Sequence, residues 1–233
     1  MPEKVIFFDL DGTLLGMDEP AFIRKYFGLL CAYMAERGYD PEKYSNMLYA
    51  GMKAMSANDG TVSNEIRFWN VYVQMFGEES RKDRLILNDF YLNVFPEVRE
   101  TLWQNAGVPE MIASLKQREF RLILATNPLL PRPATEFRVR TAGLDPKDFE
   151  WITVYENSSY CKPNPEYYLE ICRKLEICPE DVLMIGNDAE EDGNARLAGM
   201  SVYLVTDQLI SRKQTDLNLF EHGTRNDLYR YLR

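Results

Sequence analysis

The chain has a single histidine, His222, in 233 residues. That scarcity sets aside serine–histidine hydrolysis and histidine-rich zinc sites, which need an imidazole as base or ligand. Cysteine is sparse too. Cys31, Cys161, Cys172 and Cys178 form no CxxC and no paired metal-ligand spacing, a pattern expected of reduced thiols in a cytoplasmic protein. Cys161 adjoins Lys162, and a neighbouring cation lowers a thiol pKa, but no base points at it, so thiol catalysis is not expected. Long apolar runs are missing. Val5-Ile6-Phe7-Phe8 falls far short of the ~20 residues that cross a bilayer. No basic stretch followed by a long apolar region opens the chain, so no secretory signal is expected. Basic residues are outnumbered, 27 against 36 acidic, giving a net charge of -9. That balance disfavours nucleic acid and anionic membrane as partners, since both need a positive field. A small phosphorylated ligand, which responds to the local field of its pocket, stays open. Catalysis here must run on carboxylates and lysine.

Five short apolar runs are present, at 5–8, 122–125, 152–155, 182–185 and 202–205. Their hydrophobicity is continuous rather than alternating, as in a parallel sheet covered on both faces. Helical patterns separate the later runs: Tyr168, Ile171, Cys172 and Leu175 share one helical face, started by Asn164-Pro165. Gly199 is a stop signal after the next helical stretch. Strand alternating with helix predicts an α/β, doubly wound, Rossmann-like core. The interval between the first two runs breaks that rhythm with a series of helical stripes. One carries Ile23, Tyr26, Phe27, Leu30, Tyr33 and Met34; another Tyr44, Met47, Leu48, Met52 and Met55; a third Ile66, Trp69, Val73 and Phe76. A fourth, less regular segment covers 85–94. The division expected is a core of residues 1–16 and 94–233 with an α-helical bundle, 17–93, inserted as a cap. The stretch from Asp207 onward is polar, with an amphipathic end, and predicts nothing about function.

The first strand runs into Asp9-Leu10-Asp11-Gly12-Thr13. Open α/β sheets bind ligands beyond the carboxyl ends of their strands, so both aspartates fall where a site is expected. Two carboxylates so spaced can converge on one hard cation. Gly12 allows a sharp turn whose N–H groups can cradle an anion. A calcium loop is excluded, because the twelfth position counted from Asp9 is Pro20 rather than a bidentate glutamate. An ordinary solvated turn is the bland alternative.

Against that alternative, VIFFDLDGTLL resembles the first motif of the haloacid dehalogenase superfamily, and three later stretches follow the family's order. LILATN brings Thr126 and Asn127 to the position of its phosphate-holding hydroxyl. YCKPNPEYY brings Lys162 to that of its lysine. IGNDAEEDGNARLAGM resembles its acidic metal motif. The four span Asp9 to Met200. In one place the chain departs from the pattern: Asn187 stands where many members have aspartate. Asp188 is therefore the expected direct metal ligand, Asp192 a supporting or water-mediated one and Asn187 a weaker candidate. Glu190 and Glu191 read as solvated acids at a helix start.

The resemblance implies a magnesium-dependent phosphohydrolase acting on a small phosphorylated metabolite. Asp9 would be the nucleophile and Asp11 the acid and then base, with Lys162 contacting Asp9 and the phosphoryl oxygens. Mg2+ would be held by Asp9, the backbone carbonyl of Asp11, and Asp188. An aspartate at position 11 suits an oxygen leaving group rather than a halide. A phosphomutase of the same fold and a non-catalytic phospho-ligand sensor are the alternatives. The polar loop 56–64 between two amphipathic helices, with Asn58, Asp59 and Asn64, is expected to read the substrate, although an ordinary interhelical turn capped by Ser63 is an even alternative.

Overall fold

In the computed structural model, residues 4–233 are described; the first three residues of the expected 1–16 segment lie outside them. Six parallel strands form the sheet: β1 (Val5–Phe8), β4 (Arg121–Leu124), β5 (Trp151–Ile152), β6 (Val182–Gly186), β7 (Ser201–Val205) and β8 (Glu221–Gly223). Their order is β5-β4-β1-β6-β7-β8. From β1 the chain builds outward to β5, then returns to the other side of β1 at β6. That reversal opens a crevice at the carboxyl ends of β1 and β6, the usual ligand position of a doubly wound sheet.

Alternate residues of each strand feed opposite faces. Ile6, Phe8, Leu122, Leu124, Leu183 and Ile185 join one apolar cluster. Val5, Phe7, Ile123, Val182 and Met184 join the other. The second cluster is covered by α7 (Pro165–Leu175), through Tyr167, Tyr168, Ile171 and Cys172, and by a 3-10 stretch, Asp192–Ala198. Asn164 caps α7 by accepting from the Glu166 N–H, with Pro165 in its first turn, as the sequence predicts.

The first cluster is covered by α5 (Val108–Gln117), α6 (Arg132–Thr141) and α8 (Arg225–Tyr231), and it runs on without a break into four helices. These are α1 (Glu19–Ala35), α2 (Pro41–Ser56), α3 (Asn64–Phe76) and α4 (Asp83–Asn93). Asp18, Asp40 and Ser63 cap the first three by accepting backbone N–H groups, satisfying donors that a helix start leaves orphaned. A short antiparallel ribbon, β2 (Leu15–Met17) on β3 (Leu102–Gln104), joins this helical segment to the sheet. A 3-10 stretch, Phe95–Thr101, leads into β3, so helical chain extends past residue 93.

Three expectations differ in detail. The 152–155 run pairs only over Trp151–Ile152. Asn157 folds back to accept from the Val154 N–H and donate to the Ile152 carbonyl, which turns the chain out of the ladder. On α3 the buried face is Phe68, Trp69, Tyr72 and Val73, with Ile66 exposed. Tyr72 turns inward because its hydroxyl donates to buried Asp83. The polar tail, silent in sequence, supplies β8 and α8.

Candidate active site

Where β1 ends, the Asp9 N–H still donates to the Ile185 carbonyl at 2.8 Å, so the backbone of the next turn is held by the sheet. Gly12 takes φ +84°, and a Cβ there would lie 2.2 Å from Asn187 Nδ2. Only glycine fits a turn both left-handed and pressed against a neighbour. The DLDGT turn is thereby locked against the loop after β6.

Lys162, 3% exposed, donates to Asp9 Oδ1 at 2.8 Å and to Asp192 Oδ1 at 2.5 Å. Asp192 Oδ2 accepts the Asn187 and Asp188 N–H groups, both at 2.9 Å. Both oxygens of Asp192 are thus filled by protein donors. Asp192 therefore positions Lys162 and the β6 loop, in line with the supporting role expected of it rather than with direct ligation.

Burial pushes the Asp9 carboxyl up to about 8, against the opposing pull of Lys162. Burial alone pulls the Lys162 ammonium down, but Asp192 and Asp9 overcome it and hold the group well above its ordinary range. One ammonium faces two carboxyls. Asp192 is held by three donors, and Asp9 is the carboxyl that burial raises. The Thr13 hydroxyl agrees with this assignment. It lies 3.2 Å from Asp9 Oδ2 and 3.0 Å from Asn187 Oδ1, yet has one proton to give. A proton on Asp9 Oδ2 serves the contact that Thr13 leaves unserved.

Asp11 Oδ2 accepts from Arg138 Nη1, on α6. Burial raises the Asp11 carboxyl, while Arg138 and Lys162 oppose the rise. Its other oxygen, Oδ1, is buried without a partner among the described residues. Arg138 is 3% exposed and was not singled out in the sequence. The signal was there: it shares the apolar face of Ala134, Thr135, Val139 and Ala142, where a charge needs a reason.

Thr126 and Asn127, after β4, line the same cavity as Asp9 and Asp11, a space of about 630 Å³. Asn127 Nδ2 donates to Glu191 Oε2 at 3.1 Å, and its Oδ1 is buried without a partner among the described residues. Glu191 lines the cavity as well, and burial pushes its carboxyl up to about 7. It is not the solvated helix-start acid expected. Glu190 is a clamp, accepting from the Arg212 and Lys213 N–H groups at 2.9 Å. Asp188 Oδ1 accepts from the Glu190 and Glu191 N–H groups, and Oδ2 is paired with Arg212. Arg212 lies in the polar tail, where no sequence pattern marked it.

The loop expected to read substrate is tied to the core outside the cavity lining. Asn64 is fully buried; its Nδ2 donates to the Pro128 carbonyl at 3.3 Å and to Cys161 Sγ at 3.3 Å, and its N–H to the Ser158 carbonyl at 2.8 Å. Asn58 Nδ2 donates to Asn64 Oδ1, and Asp59 is paired with Arg67 on the exposed side. None of Asn58, Asp59 and Asn64 lines the cavity. Short amides satisfied by backbone groups make this loop a clip between α3 and the loops after β4 and before α7. His222 sits on edge strand β8, also outside the cavity.

The donor set suits a hard divalent cation. Asp9, Asp11, Asp188 and Glu191 line one cavity, and Asp11 Oδ1 lacks a partner among the described residues. No three acids converge on a point among the described residues, and Lys162 and Arg212 bond oxygens of Asp9 and Asp188.

The family model of haloacid dehalogenase-like hydrolases matches residues 3–198. A phosphorylated carbohydrates phosphatase of Thermotoga maritima is 24% identical over 201 residues, 84% of this chain and 82% of that protein. An N-acetylmuramic acid 6-phosphate phosphatase of Pseudomonas putida is 24% identical over 199 residues, 84% of this chain and 79% of that protein. The HAD-hydrolase YfnB of Bacillus subtilis, solved bound to magnesium, superposes with a TM-score of 0.56 at 22% identity, covering 99% of this chain and 98% of that one.

Proposed function

The chain belongs to the haloacid dehalogenase-like hydrolases, and from that premise we propose that it is a magnesium-dependent phosphatase cleaving a small phosphate monoester through an aspartyl-phosphate on Asp9. One observation carries the reading. Asp9, Lys162 and Asp192 form a buried triplet at the end of β1, and Asp11, two residues on, faces the same cavity. The two curated relatives are phosphatases by name, which agrees with it.

Asp9 attacks phosphorus, the ester P–O bond breaks, and an acyl phosphate remains. Asp11 gives its proton to the leaving alkoxide, then as a carboxylate takes one from the water that hydrolyses the intermediate. Burial raises its carboxyl against the pull of Arg138 and Lys162, the direction that favours an acid. Arg138 orients Asp11 through the Oδ2 contact. Lys162 balances charge on Asp9 and the phosphoryl oxygens. Thr126 and Asn127 supply donors to the phosphoryl group from the end of β4. Magnesium would be held by Asp9, the Asp11 backbone carbonyl and Asp188, and when bound it neutralises charge on the transferring group. Residues 17–93 act as a cap that excludes water.

The test is release of inorganic phosphate from a small aryl phosphate, with magnesium and with a chelator. Borohydride quenching of the working enzyme should convert residue 9 to homoserine, detected by mass spectrometry. Capture at any other residue, or substantial turnover by Asp9→Asn, overturns the reading. Free phosphate in solution, rather than a second phosphorylated alcohol, separates hydrolysis from a mutase reaction.

A further inference from the structure

The cavity reaches well beyond the space a phosphoryl group needs. At about 630 Å³ it falls in the range of small-molecule sites. Opposite Asp9 its wall is made by the helices, and that wall is apolar: Phe22, Ile23 and Phe27 of α1, Leu48, Met52 and Met55 of α2. Phe22, Phe27, Leu48 and Met55 are buried within the shared core, so the wall is backed by packed side chains. The hydroxyls it offers, Tyr26 and Tyr91, are bonded to each other at 2.6 Å. The charges on its rim, Asp18 and Glu19, are exposed at the start of α1.

On the core side Asp11 Oδ1 and Asn127 Oδ1 lack a partner among the described residues, while the longer polar side chains are engaged. Both ends of the Gln208 amide bond the Met17 backbone. Arg138 holds Asp11, and Arg212 holds Asp188. A carbohydrate placed here would bury hydroxyls against carbon, each unpaired one lowering affinity by about fivefold to a hundredfold. An apolar group gains from every methylene removed from water. Unbranched Met52 and Met55 can also adapt to its shape.

Resting on the phosphatase reading, we propose that the substrate is the monophosphate of an apolar alcohol, alkyl or aryl, whose carbon skeleton lies on the α1–α2 wall. The curated relatives act, by name, on phosphorylated sugars. The chemistry at the phosphorus would be the same for either substrate class.

The experiment measures kcat/KM with magnesium for ethyl, butyl, hexyl and octyl phosphate and for a hexose 6-phosphate. Binding of the matching alkylphosphonates is measured by calorimetry. Specificity should rise roughly two- to fourfold per methylene, and hexyl phosphate should exceed the hexose phosphate. Met52→Gln and Ile23→Gln, chosen as two so that one misfolded variant does not end the test, should each flatten the dependence on chain length. Turnover that ignores chain length or favours the hexose phosphate overturns this inference and leaves the phosphatase reading standing. Phosphonate affinity that climbs with chain length, with no ester hydrolysed, supports the wall and refutes the phosphatase reading. An unchanged slope in both folded variants overturns the assignment to α1 and α2.

Discussion

Asp9→Asn should stabilise the protein at neutral and alkaline pH in the absence of divalent cations while abolishing turnover. The Asp9 carboxyl titrates near 3.8 in the unfolded chain and, through burial first and despite Lys162, near 8 in the fold. A raised pKa means the folded state binds the proton more tightly. Above pH 3.8 the unfolded chain sheds that proton while the folded chain keeps it, so stability falls by up to about 1.4 kcal/mol per pH unit until about pH 8, then levels off. The accumulated penalty at pH 7 is at most about 4 kcal/mol. Asparagine has no such proton to retain. Its Nδ2 can donate to Thr13 Oγ1, and its Oδ1 can accept from Lys162, replacing both contacts of the carboxyl. Lys162 loses the attraction of an ionised Asp9, so the net gain expected at pH 8 is about 2 kcal/mol. Urea denaturation followed by circular dichroism, in chelator from pH 5 to 8.5, measures the difference between native and variant. It should be small at pH 5 and grow with pH. Saturating magnesium should reverse the order, because a ligand stabilises the state that binds it, and binding displaces the Asp9 proton. A difference that is flat with pH, or a variant less stable than native at pH 8 in chelator, would refute this account of the triplet.

Asp188→Ala should raise the magnesium concentration needed for half-maximal activity far more than Asn187→Ala, because a carboxylate is the better ligand for a hard cation; magnesium titration of both decides, and the reverse ranking shifts the metal position to residue 187. Asn64→Ala should cost about 2–3 kcal/mol in urea unfolding by orphaning the buried groups it serves, while the ratio of octyl to ethyl phosphate specificity stays unchanged. Cys178, exposed, should react with an aromatic disulfide within minutes. Cys161 and Cys172, whose thiols burial pushes up to about 12, should label only on unfolding, as a timed mass spectrum will show.

Much of the architecture was legible because it is written in local patterns. Continuous apolar runs marked the buried parallel strands, and Asn164-Pro165 marked a helix start, since caps and periodicity depend on near neighbours. Asp9 and Asp11 were legible as acids at the end of the first strand, Lys162 through its likeness to a family motif ahead of the α7 helix, and the four motifs in order carried the family. β8 was not: a three-residue edge strand with an exposed face, Glu221–Gly223, carries no apolar run to mark it. The α3 face was misjudged because Ile66 and Phe68 both fit a helical stripe. The choice between them fell to Tyr72 and its bond to Asp83, a residue outside the helix.

What only the tertiary structure decided are the partners. Sequence alone set which acids and which lysine exist, and that the acids follow strands of a parallel sheet. It could not say that Asp192 spends both oxygens on Lys162 and two amides, that Arg138 reaches Asp11 across 127 positions, or that Asn64 clips α3 to the core. Charge state follows burial and contact, and both are sums over residues distant in the chain. The same holds for the apolar wall facing Asp9. Phe22, Leu48 and Met55 read as ordinary helix core in the sequence, and only the packing of α1 and α2 over the end of β1 makes their surface the lining of a site.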